Sequence, residues 1–535
     1  MSPEITDAAG SPGLERFSID GGVIRVKLPA TLRAVLAPAL SLVAGFMHAW
    51  AIASPLGGQP VWWLQLMALT LLVILLDRCR SATAAAWLGA VFATCSIGGS
   101  VWWLYISLHV YGGLSSILAG LSVLSLSGFL AVYYALASAV FCRLRLRGSA
   151  LRACLFAAVW LAADLLRATV LTGFPWGVGG YAHIDGPFSA LAPWVGVYGI
   201  GAAAAFVSTL LAVVLVRPAQ IRRAWQPLVV VVLIVIALGR SHEAQNLERA
   251  PAVSVTLLQA NISQEQKFES TTGVRDALEW YATQLMAAST ALVVAPETAI
   301  PLLPDQLPAG YMEKLRSHFA KGQQAALIGM PMGSLKEGYR NSVVGLRPGA
   351  DGYQYNKHHL VPFGEFVPPL FRWFTRMMKI PLGDFASGAV GQPSFQWSGN
   401  LFAPNICYED LFGEELAARF RDEAYAPTVL VNVSNIAWFG NTVAIDQHLQ
   451  ISRMRAREFE RPMLRATNTG ATAVIDRFGR VTDLLPRHTR GALVAQVQGG
   501  QGITAYAWWL SRMGLWPFWV LIAAALTVAA RASRE

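Results

Sequence analysis

Eight runs of mostly apolar residues constrain how this 535-residue chain can fold. Only 14% of the residues are charged, whereas soluble domains usually carry about 25%. A helix needs roughly 20 mostly apolar residues to cross the ~30 Å hydrocarbon core of a bilayer. The runs occupy residues 33–53, 61–77, 84–106, 114–141, 152–171, 193–216, 226–239 and 513–530. The sequence therefore predicts a membrane α-helical bundle of about eight transmembrane helices.

Basic residues in the connecting segments indicate how the bundle is oriented. They occur in alternate loops and beside both ends of the bundle, whereas loops 54–60, 107–113 and 172–192 contain no Lys or Arg. The clusters are Arg78 and Arg80; Arg143, Arg145, Arg147 and Arg152; Arg217, Arg222 and Arg223; Arg531 and Arg534; and Arg16, Arg25, Lys27 and Arg33. Because basic loops remain in the cytoplasm, both termini are predicted inside and residues 240–507 outside. The net charge of +10 then reflects topology and indicates no nucleic-acid partner.

The same features divide the chain into four parts. Residues 1–30 are polar, contain Gly and Pro, and are predicted to form a cytoplasmic tail. Residues 31–239 are predicted to form a membrane domain with seven transmembrane helices. Residues 508–535 are predicted to supply the last helix and a short cytoplasmic tail. The roughly 270 residues of the segment 240–507 are enough for one sizeable hydrophobic core.

Short apolar runs alternate with amphipathic stretches in residues 240–507. The predicted strands are 252–259, 291–296, 325–330, 341–347, 401–407, 427–433, 471–476 and 491–497, and the predicted helices are 273–288, 309–321, 411–423 and 443–460. The strand cores are continuously apolar, as expected for sheets buried on both faces. This alternation predicts an α/β domain. Walker A, HExxH and paired CxxC motifs do not occur in the sequence, which gives no support to a nucleotide or zinc hydrolase.

Three residues of this domain could form a nucleophilic acyl-transfer site. Cys407 is the only cysteine in residues 240–507, and both Cys407 and Glu297 lie at the ends of predicted strands. Active-site groups in α/β folds collect where strands end. A thiol with the ordinary pKa of ~8.5 is mostly protonated at pH 7, so it needs a base or a neighbouring cation. Glu297 could remove the thiol proton, and Lys357 could stabilise the thiolate and a developing oxyanion.

Other interpretations of these residues stay open on the sequence alone. A lone cysteine at a strand end is more often a small buried hydrophobic residue than a nucleophile. A glutamate after proline is usually a cap or a surface charge, and a lysine in a loop is usually solvated. His358 and His359 are alternative bases, but adjacent residues point in different directions, which favours structural roles for both.

Several motifs resemble the Glu-Lys-Cys signature of the nitrilase, or carbon-nitrogen hydrolase, superfamily. They are Pro296-Glu297, Asn356-Lys357-His358, Pro362-Phe363-Gly364-Glu365 and Cys407-Tyr408-Glu409. With the apolar runs, four further motifs make residues 33–530 similar to the apolipoprotein N-acyltransferase family. They are Asn435-Ile436-Ala437-Trp438-Phe439-Gly440, Gln447-His448, Arg453-Met454-Arg455-Ala456 and Arg465-Ala466-Thr467-Asn468-Thr469-Gly470. One departure is Ile436, which stands where that family commonly has Asp.

The resemblance implies a nitrilase-like α-β-β-α sandwich attached to the helical bundle. It places the chain in a bacterial inner membrane, with residues 240–507 as a periplasmic catalytic domain. It also implies a ping-pong reaction. A phospholipid would acylate Cys407, and the thioester would then acylate the α-amine of the N-terminal diacylglyceryl-cysteine of an apolipoprotein. Membrane lipid, the phospholipid donor and the apolipoprotein acceptor are therefore the expected partners.

Roles for individual residues follow from the same resemblance. Glu297 is expected to be the base, and Lys357 is expected to stabilise the oxyanion. Glu365 would support Lys357, and Tyr408 and Glu409 would line the pocket beside the nucleophile. No metal or other cofactor is expected, and the protein is expected to be a monomer.

Residues 366–380 have a composition typical of a lipid interface, because bulky apolar residues alternate there with three basic ones. The candidate lipid contacts in this segment are Trp373, Phe374 and Met377. The alternative is a core segment with snorkelling basic side chains. Trp176, in the external loop 173–177, offers a second aromatic edge or an interfacial anchor. Asn435 and Trp438 are further candidates for substrate contacts.

Two other functional classes compete with the membrane acyltransferase. A membrane-tethered amidase acting on a small external amide would share the Glu-Lys-Cys residues, but it would not need eight spans or an apolar lid. A transporter or assembly scaffold would need no nucleophile. The apolar runs hold few ionisable residues, among them His48, Asp77, Asp164 and Arg167, which are poor material for a solute path.

Overall fold

The computed structural model describes residues 17–20, 23–26, 30–216, 221–244, 249–263, 273–334, 338–349, 352–367 and 385–535. The candidate lipid contacts Trp373, Phe374 and Met377 lie outside the described residues. Their predicted role therefore stays a prediction.

Each of the eight apolar runs coincides with a helix. The helices are Ala30–Ile52, Trp62–Asp77, Ala82–Val101, Ser116–Arg143, Ser149–Thr169, Ala192–Val216, Ile221–Ala244 and Trp516–Ala532. Short helical turns connect them on one side of the bundle. These turns are Leu104–Ile106, Ser107–Tyr111, Val170–Thr172, Gly179–His183 and Pro187–Leu191.

Five stretches in the described part of the chain are long and apolar enough to cross a bilayer. They are Val35–Ile52, Ala82–Val101, Ser116–Arg143, Ser149–Thr172 and Pro187–Val216. Helices Ala505–Met513 and Trp516–Ala532 meet at 90° and together would make a sixth span. Trp62–Asp77 and Ala224–Arg240 are shorter apolar helices. The 16 residues of Trp62–Asp77 rise only about 24 Å, less than the ~30 Å hydrocarbon core of a bilayer.

Small residues allow the first, third and fourth helices of the bundle to pack closely. A Cβ atom on Gly45 would lie 2.3 Å from the carbonyl oxygen of Phe92. A Cβ atom on Gly89 would lie 2.2 Å from Oγ of Ser138. Close backbone approach of this kind is how helices associate in lipid, where apolar surface alone gives little driving force.

Two six-stranded sheets form the α/β part. The first, called here the Glu297 sheet, has the strand order Gly491–Gly500, Arg249–Gln259, Leu292–Ala295, Ala325–Ser334, Gly338–Leu346 and Tyr353–Asn356. The second, called the Cys407 sheet, has the order Val481–Leu484, Ala473–Ile475, Met463–Thr467, Val429–Ser434, Asn400–Ile406 and Phe395–Trp397. Three neighbouring strands of each sheet are parallel, so their carboxyl ends meet at one edge.

The two sheets pack face to face and carry helices on their outer faces. Apolar side chains of both sheets form one buried cluster, which includes Val255, Leu257, Val294, Phe402, Val431 and Leu464. Helices Gly273–Ala287 and Tyr311–Lys321 cover the Glu297 sheet. Helix Val443–Phe459 packs against the Cys407 sheet. The predicted α-β-β-α sandwich on a helical membrane bundle is confirmed.

Several elements differ from those predicted. Four further strands are present, namely Tyr353–Asn356, Phe395–Trp397, Met463–Thr467 and Val481–Leu484. The predicted helix 411–423 is a short helix, Gly413–Ala417, followed by two separate 3₁₀ turns. Within the predicted tail, Phe17–Asp20 pairs with Val23–Val26 as a two-stranded antiparallel ladder.

Candidate active site

Cys407 directly follows the strand Asn400–Ile406 and opens a 3₁₀ turn. Its φ is +52°, in the left-handed region that residues with a Cβ atom rarely occupy. Such a conformation costs about 1–3 kcal/mol, so it persists only where surrounding contacts hold it. The carbonyl oxygen of Cys407 accepts a hydrogen bond from Nδ2 of Asn432 at 3.2 Å. The strand end thus presents the thiol on a sharp, externally supported turn.

Glu297 lies two residues beyond the strand Leu292–Ala295 and is buried. Its Oε1 accepts a hydrogen bond from Nδ2 of Asn341 at 2.7 Å. Its Oε2 accepts one from the backbone N–H of Asn435 at 2.8 Å. Asn341 therefore fixes one carboxylate oxygen and Asn435 the other, which leaves the carboxylate little rotational freedom.

Lys357 follows the edge strand Tyr353–Asn356 and is only 1% exposed. Its Nζ lies 2.9 Å from Oε1 and 2.9 Å from Oε2 of Glu365, and 3.6 Å from Oε1 of Glu297. Nδ2 of Asn341 also donates to Oε1 of Glu365 at 2.9 Å. One ammonium and one amide thus connect two carboxylates in a buried cluster. The predicted loop lysine is therefore not solvated.

Burial and charge act in opposite directions on the pKa values of this cluster. Burial alone would lower the pKa of Lys357, but the carboxylates of Glu365 and Glu297 outweigh it and raise that pKa. Burial raises the pKa of Cys407 to about 12, Glu297 raises it too, and Lys357 and a hydrogen bond with Ser434 oppose the rise. At neutral pH the ammonium is therefore charged and the thiol keeps its proton, so attack by sulfur requires a base.

Glu409 connects the strand end that carries Cys407 to the segment that carries Lys357. Its carboxylate accepts hydrogen bonds from the Tyr355 hydroxyl at 2.8 and 2.9 Å. It also accepts from the backbone N–H of Ile406 and of His358, each at 2.6 Å. Glu409 therefore ties the turn at Cys407 to the segment that carries Lys357.

Tyr408 and Trp176 lie at the contact between the α/β part and the membrane helices. The Tyr408 hydroxyl donates to the carbonyl oxygen of Gly173 at 3.2 Å. Trp176 is 3% exposed, and its Nε1 donates to Oε1 of Gln447 at 2.8 Å. Nε1 of Trp103 donates to the same oxygen at 3.0 Å. The interpretation of Trp176 as an exposed aromatic edge or belt anchor is therefore wrong, because its indole is enclosed where the two parts meet.

The remaining candidates follow the strand Val429–Ser434, and the first of them, Asn435, contacts the Glu297 carboxylate. Asn435 is buried, and its Oδ1 accepts a hydrogen bond from Nδ2 of Asn468 at 3.2 Å. Trp438 is 38% exposed and meets the ring of Tyr111 edge-on, with centroids 5.4 Å apart. Ile436 is 1% exposed, so this position is filled by an apolar core side chain.

His358 and His359 each have a partner outside the Glu-Lys-Cys cluster. Nδ1 of His358 lies 2.7 Å from the carbonyl oxygen of Gly388, to which it can donate. Nδ1 of His359 lies 2.7 Å from Oε1 of Glu415, and its ring stacks on Phe412 at 3.5 Å. Burial lowers the pKa of His359 to about 4. These contacts favour structural roles for both histidines.

Some residues of the site were not singled out from the sequence. Asn341, which joins the two carboxylates, occupies a predicted strand and carries no recognisable motif. Asp410 lies next to a predicted pocket residue, and its buried carboxylate accepts from Ser452 at 2.5 Å. Arg340 and Ser342 flank Asn341, so no isolated polar residue in an apolar run marked this position in the sequence.

Comparisons with known proteins cover both parts of the chain. A model of the apolipoprotein N-acyltransferase N-terminal domain matches residues 44–210, and a carbon-nitrogen hydrolase model matches residues 254–505. An apolipoprotein N-acyltransferase of Verminephrobacter eiseniae is 55% identical over 89% of this chain and 92% of its own length. One from Ralstonia nicotianae is 43% identical over 87% of this chain and 88% of its own length.

Among solved structures, a carbon-nitrogen hydrolase from Helicobacter pylori aligns with a TM-score of 0.35 and 16% identity, covering 50% of this chain and 94% of that one. This likeness is too low to bear on function. The identity and coverage of the sequence relatives, in contrast, extend across the membrane helices and the two-sheet domain together. The chain belongs to the apolipoprotein N-acyltransferase family.

Proposed function

We propose that this protein N-acylates lipoproteins by a ping-pong reaction with a Cys407 thioester as intermediate. The acyl donor is a phospholipid, and the acceptor is the α-amine of an N-terminal diacylglyceryl-cysteine. The observation that carries the proposal is the cluster of Lys357, Glu297 and Glu365, whose charges act on the thiol of a cysteine at a strained strand end. Family membership supports the choice of a lipoprotein acceptor over a small amide.

In the first half-reaction Glu297 removes the Cys407 proton as sulfur attacks the ester carbonyl of the phospholipid. Negative charge then develops on the carbonyl oxygen, and the Lys357 ammonium stabilises it. The C–O bond breaks, and the proton held by Glu297 passes to the leaving alkoxide, which departs as lysophospholipid. Glu365 keeps Lys357 charged and in place.

In the second half-reaction the amine attacks the thioester carbonyl, and Glu297 takes the amine proton. The C–S bond breaks, sulfur recovers a proton, and an amide is released. Water would compete with the amine, so the intermediate needs an apolar surrounding. The segment 366–380 with Trp373, Phe374 and Met377 is proposed to supply that shield, and Trp438 to border the lipid entry.

Acyl transfer by the purified full-length protein tests this function. With phospholipid carrying a labelled acyl chain and a diacylglyceryl peptide, label should appear as an amide at the peptide N-terminus. Cys407→Ala should remove the transfer, whereas Cys154→Ala, at an exposed cysteine of a membrane helix, should keep it. Release of ammonia from small amides without lysophospholipid would favour the amidase instead.

We propose further that the protein lies in the inner membrane with its catalytic domain in the periplasm and both termini in the cytoplasm. The distribution of basic residues among alternate loops supports this orientation. In spheroplasts of a Cys407→Ala background, Asp305→Cys, at an exposed turn, should react with a membrane-impermeant maleimide. The matched variant Arg147→Cys, in an exposed basic loop, should react only after permeabilisation. The reverse pattern would invert the topology.

A further inference from the structure

A second polar cluster contacts the backbone carbonyl group of Cys407. His448, on the helix Val443–Phe459, is 0% exposed. Its Nε2 lies 3.2 Å from the carbonyl oxygen of Cys407 and 3.0 Å from Oδ1 of Asp410. Its Nδ1 lies 2.7 Å from NH2 of Arg465, on the strand Met463–Thr467. None of these three side chains has a part in the acyl transfer proposed above.

The contact with Arg465 determines where the His448 proton lies. A guanidinium has only donor groups and remains protonated in proteins, so Nδ1 of His448 must accept from it. The proton of the neutral imidazole is therefore on Nε2. From there it points at two acceptors, the Asp410 carboxylate and the Cys407 carbonyl. Burial and the adjacent guanidinium both lower the pKa of His448, which is consistent with a neutral ring.

Arg465 also organises the second donor to the same carbonyl. Its NH1 donates to Oδ1 of Asn432 at 3.1 Å, and Nδ2 of Asn432 donates to the Cys407 carbonyl oxygen at 3.2 Å. Ser452, which donates to Asp410, accepts from the same NH1 at 2.6 Å. The buried guanidinium of Arg465 therefore holds both His448 and Asn432, the two side chains that contact the Cys407 carbonyl oxygen.

The need for such support follows from the backbone of the nucleophile. At φ +52° Cys407 is in a region disfavoured for residues with a side chain, so its geometry depends on external contacts. Because a peptide group is planar, fixing the Cys407 carbonyl also fixes the plane of the bond to Tyr408. The backbone at Cα of Cys407, from which the Cβ–Sγ group projects, is thereby restrained at the strand end.

We propose that His448, held in its Nε2-protonated form by Arg465, is a positioning residue that aligns Cys407 for attack. The inference rests on the proposed role of Cys407 as the acylated nucleophile. A misplacement of the order of 1 Å in a reacting group can reduce a rate about 100-fold. Loss of the His448 donor should therefore slow acylation at saturating phospholipid and leave the phospholipid KM nearly unchanged.

The test uses the full-length protein and measures the single-turnover rate of Cys407 acylation by phospholipid alone. His448→Phe keeps a ring but removes the donor, and we expect a rate reduced about 10- to 100-fold. His448→Gln, whose Nε2 can replace that of histidine, should restore the rate to within a few-fold of the parent. Arg453→Met, at a buried arginine of the same helix that pairs with Asp185, should lower thermal stability without slowing acylation.

The outcomes separate this inference from the proposed function. If the parent protein forms no Cys407 adduct, the proposed function fails. If the parent is acylated and folded His448→Phe is acylated at the same rate, only the positioning role is wrong. A His448→Gln rate below one tenth of the parent would also contradict it.

A spectroscopic readout covers the case in which His448→Phe does not fold. The ¹⁵N signals of His448, assigned by difference from His448→Gln in lipid, should show a neutral ring protonated on Nε2 from pH 7 to pH 9. A ring protonated on Nδ1, or one that titrates within this range, would overturn the proposal.

Discussion

Replacing Lys357 with Met will lower the free energy of unfolding by about 3–5 kcal/mol and slow acylation of Cys407 about 10²–10³-fold. The ammonium is 1% exposed and lies within 2.9–3.6 Å of two carboxylates. Its removal leaves Glu297 and Glu365 in one buried site, where the Asn341 amide donates to both carboxylates. The oxyanion also loses its cation, and loss of one such stabilising group typically costs about 10²–10³ in rate. Denaturation of the solubilised protein and single-turnover acylation measure the two effects.

Lys314→Met is the matched control for this change. Lys314 is exposed on the surface helix Tyr311–Lys321, so its replacement should alter stability by less than about 0.5 kcal/mol and leave acylation intact. If Lys357→Met were as stable and as active as Lys314→Met, the ammonium would have neither the structural nor the catalytic role assigned to it.

The variant Glu297→Gln distinguishes the role of Glu297 as the base from the role of Cys407 as the nucleophile. Acylation at neutral pH should fall about 10²–10⁴-fold, because no group remains to remove the thiol proton. The same change should lower the pKa of Cys407 from about 12, because the Glu297 charge disfavours the thiolate. The pH profile of alkylation by iodoacetamide should therefore have its midpoint at a lower pH in the variant than in the parent.

Glu279→Gln provides the control, because Glu279 is exposed on the surface helix Gly273–Ala287 and pairs with Arg275. Neither the acylation rate nor the alkylation profile should change in that variant. An upward shift of the alkylation midpoint in Glu297→Gln, or acylation at the parent rate, would rule out Glu297 as the general base.

The membrane bundle was predictable because lipid imposes one strong rule on sequence. A segment in hydrocarbon must satisfy its backbone hydrogen bonds internally, so runs of about 20 apolar residues are helices. The short seventh run, 226–239, is harder to classify, since it falls in Ala224–Arg240, which like Trp62–Asp77 is an apolar helix of only 10–17 residues. Length and composition alone do not decide whether such a helix crosses the bilayer.

The strands of the α/β part were predictable where their residues are continuously apolar, as in Leu292–Ala295 and Val429–Ser434. Met463–Thr467 was not predicted, although all its residues are buried, because Arg465 interrupts its apolar pattern. That charge is buried at the centre of the sheet because Asn432 and His448 bind its donors. Partners distant in sequence thus decide whether a charged residue can lie in a strand.

Sequence motifs identified Glu297, Lys357 and Cys407, but the motifs do not show how these three side chains contact one another. Asn341, which donates to Glu297 and Glu365, is related to them only through sheet register. Trp176 was misassigned for a similar reason. A tryptophan in an external loop is usually interfacial, and only the folded chain shows that Gln447 and Trp103 enclose it.

The most direct test of the account is the mass of the protein after incubation with phospholipid alone. We predict that Cys407 gains one acyl chain with release of one equivalent of lysophospholipid, and that neutral hydroxylamine removes the adduct. Subsequent addition of a diacylglyceryl peptide should transfer the chain to the peptide amine and restore the free thiol. Acyl transfer that proceeds only with both substrates present, with no adduct on Cys407 at any time, would contradict the thioester mechanism.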